Sequence, residues 1–549
     1  MNDNDGYLAL GFVGGLCAAL VSVAWAAWSL AARWSGAPDV PGGPPTMVRA
    51  LVKGEASWPP SATWWAAGLG TLLFLSFLAV MMRMPSRSVD RSAGRLPRSS
   101  GIGRYTAGKG PVIGRVVTGK VGGRRPVLRM TEEDQAVVVA GPRTGKTTSL
   151  AIPGAVAHRG PVLVTSNKRD ILDAIGPARA DQGRVWVFDP QSLAGTTHPT
   201  WFWDPLTMAR DVRGARMLAS IWANAAREPG ARSDAYFEPE GQELLSLLLL
   251  AAAVGRQPLS SVYRWVSRPD TPEPVDLLQN LAGGSLMAEG LAGFQDLPDK
   301  QRAGVYGTAA KLVRWITDPN LRRWVEPPIG GVQFDPEAFP TSTDTLVSLS
   351  REGEGSASPL VTALTAAVLQ AAERQAAAMP KGRLPVPLLG VLDEAANVCR
   401  WKELPDLYSH YGSRGILLMS LFQSWPQMVE AFGREGAEKL WSASNVRVYG
   451  GGVSDTDFLK RLSDLAGEYD ATHRSRSTSR DGSSRTRTTQ RRSIYDVAAL
   501  GALPPGRALV LLSATRPVMA ELIPYWDGPE RRRIAAAPVA ALDPGPVHR

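Results

Sequence analysis

The pattern of apolar and polar positions divides the chain into distinct regimes. Tyr7 to Ala32 and Ala56 to Met82 contain no charged side chain, and each run exceeds the roughly 20 residues a helix needs to cross a bilayer. Two spans are predicted, about 7–32 and 56–82. The first run lacks a basic n-region and is too long and unbroken for a cleaved signal peptide. Further on, the apolar runs become short and are bounded by breakers: Ala136–Val139, Pro161–Ser166, Arg184–Pro190, Val386–Leu392, Ile416–Phe422, Asn445–Tyr449 and Ala508–Ser513. These read as strands, and the helical spacing of Lys146 to His158 between the first two makes a βαβ unit. From Leu206 to about Pro340 the strand signal nearly disappears in favour of helical spacing, as in Glu243–Val254, Pro274–Leu281 and Gln301–Ile316. Pro359 to Ala377, alanine-rich and free of interior breakers, reads as a long helix that returns the chain to the α/β part.

The predicted organisation follows. Residues 1–83 form a two-span anchor, 84–130 a basic linker with a small β element, 131–205 and 341–530 an α/β domain, 206–340 an all-α insertion, and 531–549 a disordered tail. Within the α/β domain, 473–493 holds Arg474, Arg476, Arg480, Arg485, Arg487, Arg491 and Arg492 among serines and threonines. That composition cannot pack a core and predicts a basic disordered loop. Two readings of it stay open, an electrostatic clamp on a DNA backbone and a solvated loop.

Charge sets the orientation. Arg83, Arg87, Arg91, Arg95 and Arg98 follow the second uncharged run, so the positive-inside rule places everything after it in the cytoplasm. The N-terminus is then cytoplasmic too, with a short external loop from Arg33 to Glu55, and the chain is a multi-pass membrane protein. Trp25, Trp28 and Trp34 with Trp58, Trp64 and Trp65 suit an interfacial belt on one side. The net charge of +10 favours an acidic partner, nucleic acid or anionic lipid, although an anchored protein carries such an excess for its membrane alone. Only Cys17 and Cys399 occur, and His158, His198, His410, His473 and His548 are scattered. Neither a disulfide framework nor a cysteine or histidine metal site is expected.

The candidate chemistry begins where the first strand ends. Gly141, Pro142, Arg143, Thr144, Gly145, Lys146, Thr147 and Thr148 form a glycine-containing turn opening a helix, the layout of a phosphate-binding P-loop. Backbone N–H groups and the helix N-terminus would cradle a polyphosphate, Lys146 would reach its terminal phosphates, and Thr147 would offer a hydroxyl to Mg²⁺. Ala140 stands where the usual spacing asks for glycine. The run from Val386 ends in Asp393 and Glu394, a Walker B arrangement in which Asp393 serves the Mg²⁺ shell and Glu394 polarises the attacking water. Gln423 ends the next strand, beside that pair in a parallel sheet, and suits sensing the γ-phosphate or orienting water. Arg414 is the choice for an arginine finger reaching a neighbouring subunit's nucleotide, with Arg143, Arg434 and Arg447 as competitors. Asp189, at another strand end, reads as a turn former. ATP and Mg²⁺ are the expected cofactors.

Taken together, the two spans, the P-loop, the helical insertion, Leu392-Asp-Glu-Ala-Ala-Asn397, Ser413-Arg-Gly-Ile416 leading to Gln423, and Ser444-Asn-Val-Arg-Val-Tyr-Gly450 resemble the TraG/TraD-like coupling proteins of type IV secretion and conjugation. The resemblance implies a RecA-like P-loop NTPase domain with an all-α insertion and a homo-hexamer at the inner membrane. It further implies ATP-driven delivery of single-stranded DNA with its relaxase to the channel proteins. It also assigns the family's nucleotide and hydrolysis roles to Lys146, Thr147, Asp393, Glu394 and Gln423. Ser166-Asn-Lys-Arg-Asp170 matches the family's turn only loosely. Two rivals remain: an FtsK-type translocase of double-stranded DNA, and a nucleotide-gated receptor for protein substrates with weak hydrolysis.

Overall fold

The computed structural model describes residues 20–83, 88–96, 101–118, 125–196, 198–226, 234–326, 331–353, 355–479 and 482–536, the side chains of 74–83, 88, 473–479, 482–487 and 536 excepted. The chain divides into two compact units, Met1–Ser88 and Val89–Arg549.

In the first unit a helix over 20–34, a helix Pro44–Val52 and a helix Pro60–Arg83 are formed. Among the described residues no helix is long and apolar enough to cross a membrane. The expected span 7–32 lies outside the described residues as far as 19. The expected span 56–82 is a 24-residue helix from Pro60, whose first three turns mix Ser61, Thr63, Gly68, Gly70 and Thr71 among the apolar residues. The expected loop 33–55 also differs, because Pro44 and Pro45 start a helix whose Met47 and Ala50 are buried. Met47 packs in a small cluster with Trp28, Ala31 and Ala62. Trp28 meets Trp58 edge to face at 5.7 Å and donates to the Pro38 carbonyl at 2.9 Å.

The second unit is built on strands β1 (Val112–Val116), β2 (Val127–Arg129), β3 (Ala136–Val139), β4 (Val162–Ser166), β5 (Val185–Phe188), β6 (Trp201–Phe202), β7 (Val332–Gln333), β8 (Thr345–Leu349), β9 (Leu388–Leu392), β10 (Ile416–Phe422), β11 (Val446–Tyr449), β12 (Glu468–Ser479), β13 (Gly482–Ser493), β14 (Arg507–Leu512) and β15 (Val518–Glu521). Eleven of them form one sheet in the order β2-β1-β15-β14-β11-β3-β10-β9-β4-β8-β5. From β11 to β5 every pairing is parallel, while β14, β15, β1 and β2 extend it antiparallel. Alternate residues of the parallel strands feed opposite faces. Val137 and Val139 enter one hydrophobic core, Ala136 and Val138 the other, as a sheet covered on both faces requires. The small β element expected in 84–130 is therefore the antiparallel edge of the main sheet.

Between β6 and β7 the chain is helical: Val212–Ala226, Phe237–Val254, Leu259–Ser267, Glu273–Gln279, Ser285–Gln295, Asp299–Val313 and Pro319–Arg322. It leaves and re-enters through the parallel pair β6·β7, where Trp201 packs edge to face on Trp186 and Trp324. β8, a central strand between β4 and β5, is absent from the expected set. Its hydroxyl residues dilute the apolar signal, yet Thr345 and Ser348 are buried. Thr345 accepts from Arg179 Nε at 2.5 Å, and the buried Arg179 guanidinium also donates to the carbonyls of Ala155, His158, Gly160 and Thr343.

Parts of two segments expected to be disordered form regular structure. Residues 473–479 and 482–493 belong to the antiparallel hairpin β12·β13. The composition argument concerned burying a core, and a two-stranded backbone ladder needs none. The tail expected over 531–549 begins with a helix, Arg531–Ala536, held because Arg533 donates to the Val156 and Ala178 carbonyls near the ends of two helices. The rest of that tail lies outside the described residues.

Candidate nucleotide site

Register aligns the ends of the central strands. Val139 pairs with Phe422 and with Tyr449, and Leu392 pairs with Ser420 and with Thr165. The residues that follow β3, β9, β10 and β4 thus meet at one edge of the sheet, the carboxyl edge where open α/β sheets bind ligands.

The turn after β3 places Arg143 at φ 58° and Gly145 at φ 95°, then runs into a turn of π-helix at Thr147–Ala151 and a helix Ile152–Ala157. Pro153 accounts for the widened turn: it has no N–H to donate and its ring displaces the carbonyl of Ser149. The Ile152 N–H reaches instead to the Thr147 carbonyl. Ala140 is buried with its methyl group against Gly450, where a built Cβ would lie 2.8 Å from that of Ala140. The next residue carries the close approach. A Cβ at Gly141 would lie 2.2 Å from the Gly452 carbonyl oxygen, and the Gly141 N–H donates to the Gly451 carbonyl at 2.8 Å.

Five predicted residues converge here. Lys146 Nζ lies 2.8 Å from Glu394 Oε1, both side chains buried. Thr147 Oγ1 donates to Asp393 Oδ2 at 3.1 Å. Gln423 Nε2 donates to Glu394 Oε2 at 2.9 Å. Glu394 stands in the left-handed region, φ 53° and ψ 43°, a backbone cost of roughly 1–3 kcal/mol that clusters at functional sites. Burial, and then the neighbouring Glu394 carboxylate, push Asp393 up to about 6, opposed by Lys146, the Thr147 hydroxyl and Lys168.

The donor set fits Mg²⁺. Asp393 Oδ1 is buried without a hydrogen-bond partner, beside a threonine hydroxyl, and Mg²⁺ takes oxygen ligands from one or two carboxylates plus substrate phosphates. Among the described residues no cluster of three or more His, Cys, Asp or Glu could hold a metal unaided, so the ion's other ligands would come from nucleotide and water.

Of the remaining predicted residues, Thr144 closes the turn by donating to the Gly141 carbonyl at 2.8 Å, and Thr148 donates to that of Gly145 at 3.3 Å. Pro142 and Arg143 are exposed. Arg414 is not brought to the site: it precedes β10, at the amino edge of the sheet, and pairs with Glu373 at 3.4 Å. Arg434 is exposed and Arg447 lies mid-strand in β11. Asp189 accepts from the Leu193 and Ala194 N–H groups, which makes it a turn former.

A polar chain that sequence reasoning missed extends the site. The Gln423 N–H donates to Gln427 Oε1 at 3.0 Å, and Gln427 Nε2 donates to Asn397 Oδ1 at 3.0 Å. Asn397 and Asn167 both donate to Glu352 Oε1, at 2.5 and 2.6 Å. Its members sit beyond four different strands, and no local spacing announces such a set.

A model of the TraM recognition site of TraD and TraG matches residues 387–505, which contain Asp393, Glu394 and Gln423. The conjugal transfer protein TraG of Agrobacterium fabrum is 26% identical over 389 residues, 67% of this chain and 57% of the relative. The type IV secretion system-coupling protein VirD4 of Bartonella quintana is 24% identical over 401 residues, 69% of this chain and 61% of the relative. The chain thus spans less than two thirds of the length of these relatives. Among solved structures, the conjugative coupling protein TrwBdeltaN70 superposes with a TM-score of 0.53 at 18% identity over 78% of this chain and 93% of that one. TrwB in complex with ADP and Mg²⁺ superposes with a TM-score of 0.52 at 16% identity over 72% and 87%. The chain thus shares the RecA-like P-loop fold of the TrwB structures, and over the matched regions its sequence is similar to TraG and VirD4 coupling proteins of conjugation and type IV secretion.

Proposed function

We propose that this chain is an ATPase of the inner membrane that couples hydrolysis to recruiting single-stranded DNA, with its relaxase, and passing it to the proteins of a type IV secretion channel. The observation that carries the reading is the meeting of Lys146, Thr147, Asp393, Glu394 and Gln423 at one sheet edge. The TrwB structures described with ADP and Mg²⁺ and with an ATP analogue support it.

In this reading the N–H groups of the turn from Gly141 to Thr148 and the Lys146 ammonium hold the phosphates of ATP. Thr147 and the free oxygen of Asp393 hold Mg²⁺, which when bound neutralises charge on the phosphates. A phosphate drawing Lys146 away frees the Glu394 carboxylate to take a proton from the attacking water. Gln423, already hydrogen-bonded to Glu394, orients that water. Arg414, at the opposite edge of its own sheet, acts only on a neighbouring subunit's nucleotide within a homo-hexamer. The uncharged runs 7–32 and 56–82, followed by the arginine cluster, anchor the chain with its N-terminus and ATPase domain in the cytoplasm.

The test is the ATPase rate of the full chain with no DNA, single-stranded DNA or duplex DNA, beside Lys146→Ala and Glu394→Gln. Stimulation by single strands, abolished in both variants, is expected. No stimulation by DNA overturns the motor reading, and stimulation by duplex alone makes the chain an FtsK-type translocase. Tight nucleotide binding with hydrolysis near background makes it a nucleotide-gated receptor.

A further inference from the structure

The hairpin β12·β13 has no role in the site, and its register sorts its residues by charge. Twelve pairs run from Glu468↔Ser493 to Ser479↔Gly482, a ladder of roughly 40 Å at about 3.3 Å per residue. Its base is fixed. Ile494 and Tyr495 are buried, Tyr495 Oη donates to the Val89 carbonyl at 3.1 Å, and the Arg95 guanidinium lies 4.2 Å above the Tyr469 ring. Beyond the base, residues 488–493 are exposed.

Arg474 pairs with Arg487 and Arg476 with Arg485. Register partners, and alternate residues along a strand, share one face of an antiparallel ladder. These four register positions therefore share the ladder face of Asp470, Thr472, Thr478, Ser483, Thr489 and Arg491. The opposite face carries Ser475, Ser477, Ser484, Thr486 and Thr488. Like charges directly opposite destabilise a sheet, and a lone hairpin is marginal in water. Between 471 and 492 the only carboxylate is Asp481. Opposed like charges of this kind are relieved by an anionic neighbour.

We propose that this face is a contact surface for the phosphate backbone of duplex DNA. Charge complementarity selects a polyanion. From Ala471 to Ser493 there is no Phe, Tyr or Trp and no apolar residue but Ala471, so beyond the single imidazole of His473 the ribbon offers neither the stacking platforms of single-strand binding nor an apolar face to enter a bilayer. A two-stranded ribbon fits the major groove of B-DNA. The inference rests on the DNA-transfer reading and names a contact within it: a motor that passes a single strand works beside the duplex the strand leaves.

The test is the salt dependence of binding of the full chain to a duplex oligonucleotide, by fluorescence anisotropy. Replacing Arg474, Arg476, Arg485 and Arg487 together by alanine should lower the slope of log affinity against log salt by about 3 to 4, at roughly 0.9 per phosphate released. Replacing all four by lysine should keep it, which separates charge from folding. An alanine variant with the wild-type slope overturns the proposal, as does a lysine variant that loses the slope. So does a loss confined to single-stranded DNA or to vesicles containing phosphatidylglycerol. A wild-type chain that binds no DNA at any salt sinks the DNA-transfer reading itself, whereas a steep wild-type slope left unchanged by the alanines sinks only the hairpin.

Discussion

The Lys146 ammonium and the Glu394 carboxylate form a buried ion pair 2.8 Å apart, so the lysine meant for phosphate and the carboxylate meant for water occupy each other. Removing one charge of a buried pair leaves the other uncompensated, a loss of about 3–5 kcal/mol. Glu394→Gln without nucleotide should therefore melt below the wild type. ATP with Mg²⁺, by giving Lys146 a new anion, should raise the Tm of the variant by more than it raises that of the wild type, while hydrolysis falls at least about 100-fold. Thermal melts with and without nucleotide check this, and equal nucleotide shifts in the two proteins would count against the pair acting as a switch.

Ala140 in place of the usual glycine is accommodated across the interface with β11. A Cβ at Gly450 would sit 2.8 Å from the Ala140 Cβ but 3.9 Å from its Cα, so the two positions share room for one methyl group. Gly450→Ala alone should destabilise by about 1–3 kcal/mol through overpacking. Ala140→Gly alone should cost about 1–2 kcal/mol, from a lost buried methyl and added chain entropy. The double variant should recover most of the Gly450→Ala loss, an interaction that a double-mutant cycle in urea would measure. Strict additivity would mean that the residues are not competing for one space. ATPase rate should survive Ala140→Gly.

The parts of the site legible in the sequence were those that end a local run. The P-loop closes the apolar run to Val139, Asp393 and Glu394 close the run to Leu392, and Gln423 closes the run to Phe422. In a parallel sheet, strand ends on one edge meet whatever their separation along the chain. The Gly450-Gly451-Gly452 turn against Gly141, and the chain from Gln423 through Gln427 and Asn397 to Glu352, carry no such mark because each contact exists only in three dimensions. β8 escaped because Thr345 and Ser348 look solvated until Arg179 is seen against Thr345. The hairpin left no apolar alternation to read: its strands alternate Ser and Thr with Arg, and its last pair joins Ser479 to Gly482. Low hydrophobicity argues against a packed core, but a backbone ladder can form without one.

Asp393 gives a pH dependence with a definite sign. Its carboxyl is raised from 3.8 to about 6 by burial and by Glu394, so the folded state holds the proton more tightly than the unfolded one. The stability this contributes is present below pH 3.8 and is lost as pH rises through 6, at about 1.4 kcal/mol per pH unit in between. Asp393→Asn should accordingly raise the nucleotide-free Tm at pH 7.5, and the gain should shrink as pH falls below 6. Melts of both proteins across pH 4.5–7.5 test it. A gain that grows on acidification would reverse the sign and remove burial as its cause.

Gln427 tests whether the polar chain beyond Gln423 acts on the chemistry or only on the fold. Its side-chain carbonyl accepts the Gln423 N–H and its amide donates to Asn397, fixing Gln423 at the end of β10 while Gln423 holds Glu394. The hydrogen bonds of Gln427 go to Gln423, Ser424 and Asn397 rather than to Lys146 or Asp393, so its loss should leave the phosphate cradle intact and loosen only the groups that orient water. Gln427→Ala should lower kcat about tenfold, the equivalent of one hydrogen bond of roughly 1–1.5 kcal/mol, with KM for ATP nearly unchanged. Gln427→Glu keeps the acceptor for the Gln423 N–H and should retain more of kcat than the alanine variant. An alanine variant whose KM rises with kcat preserved would place Gln427 in ground-state binding rather than in positioning.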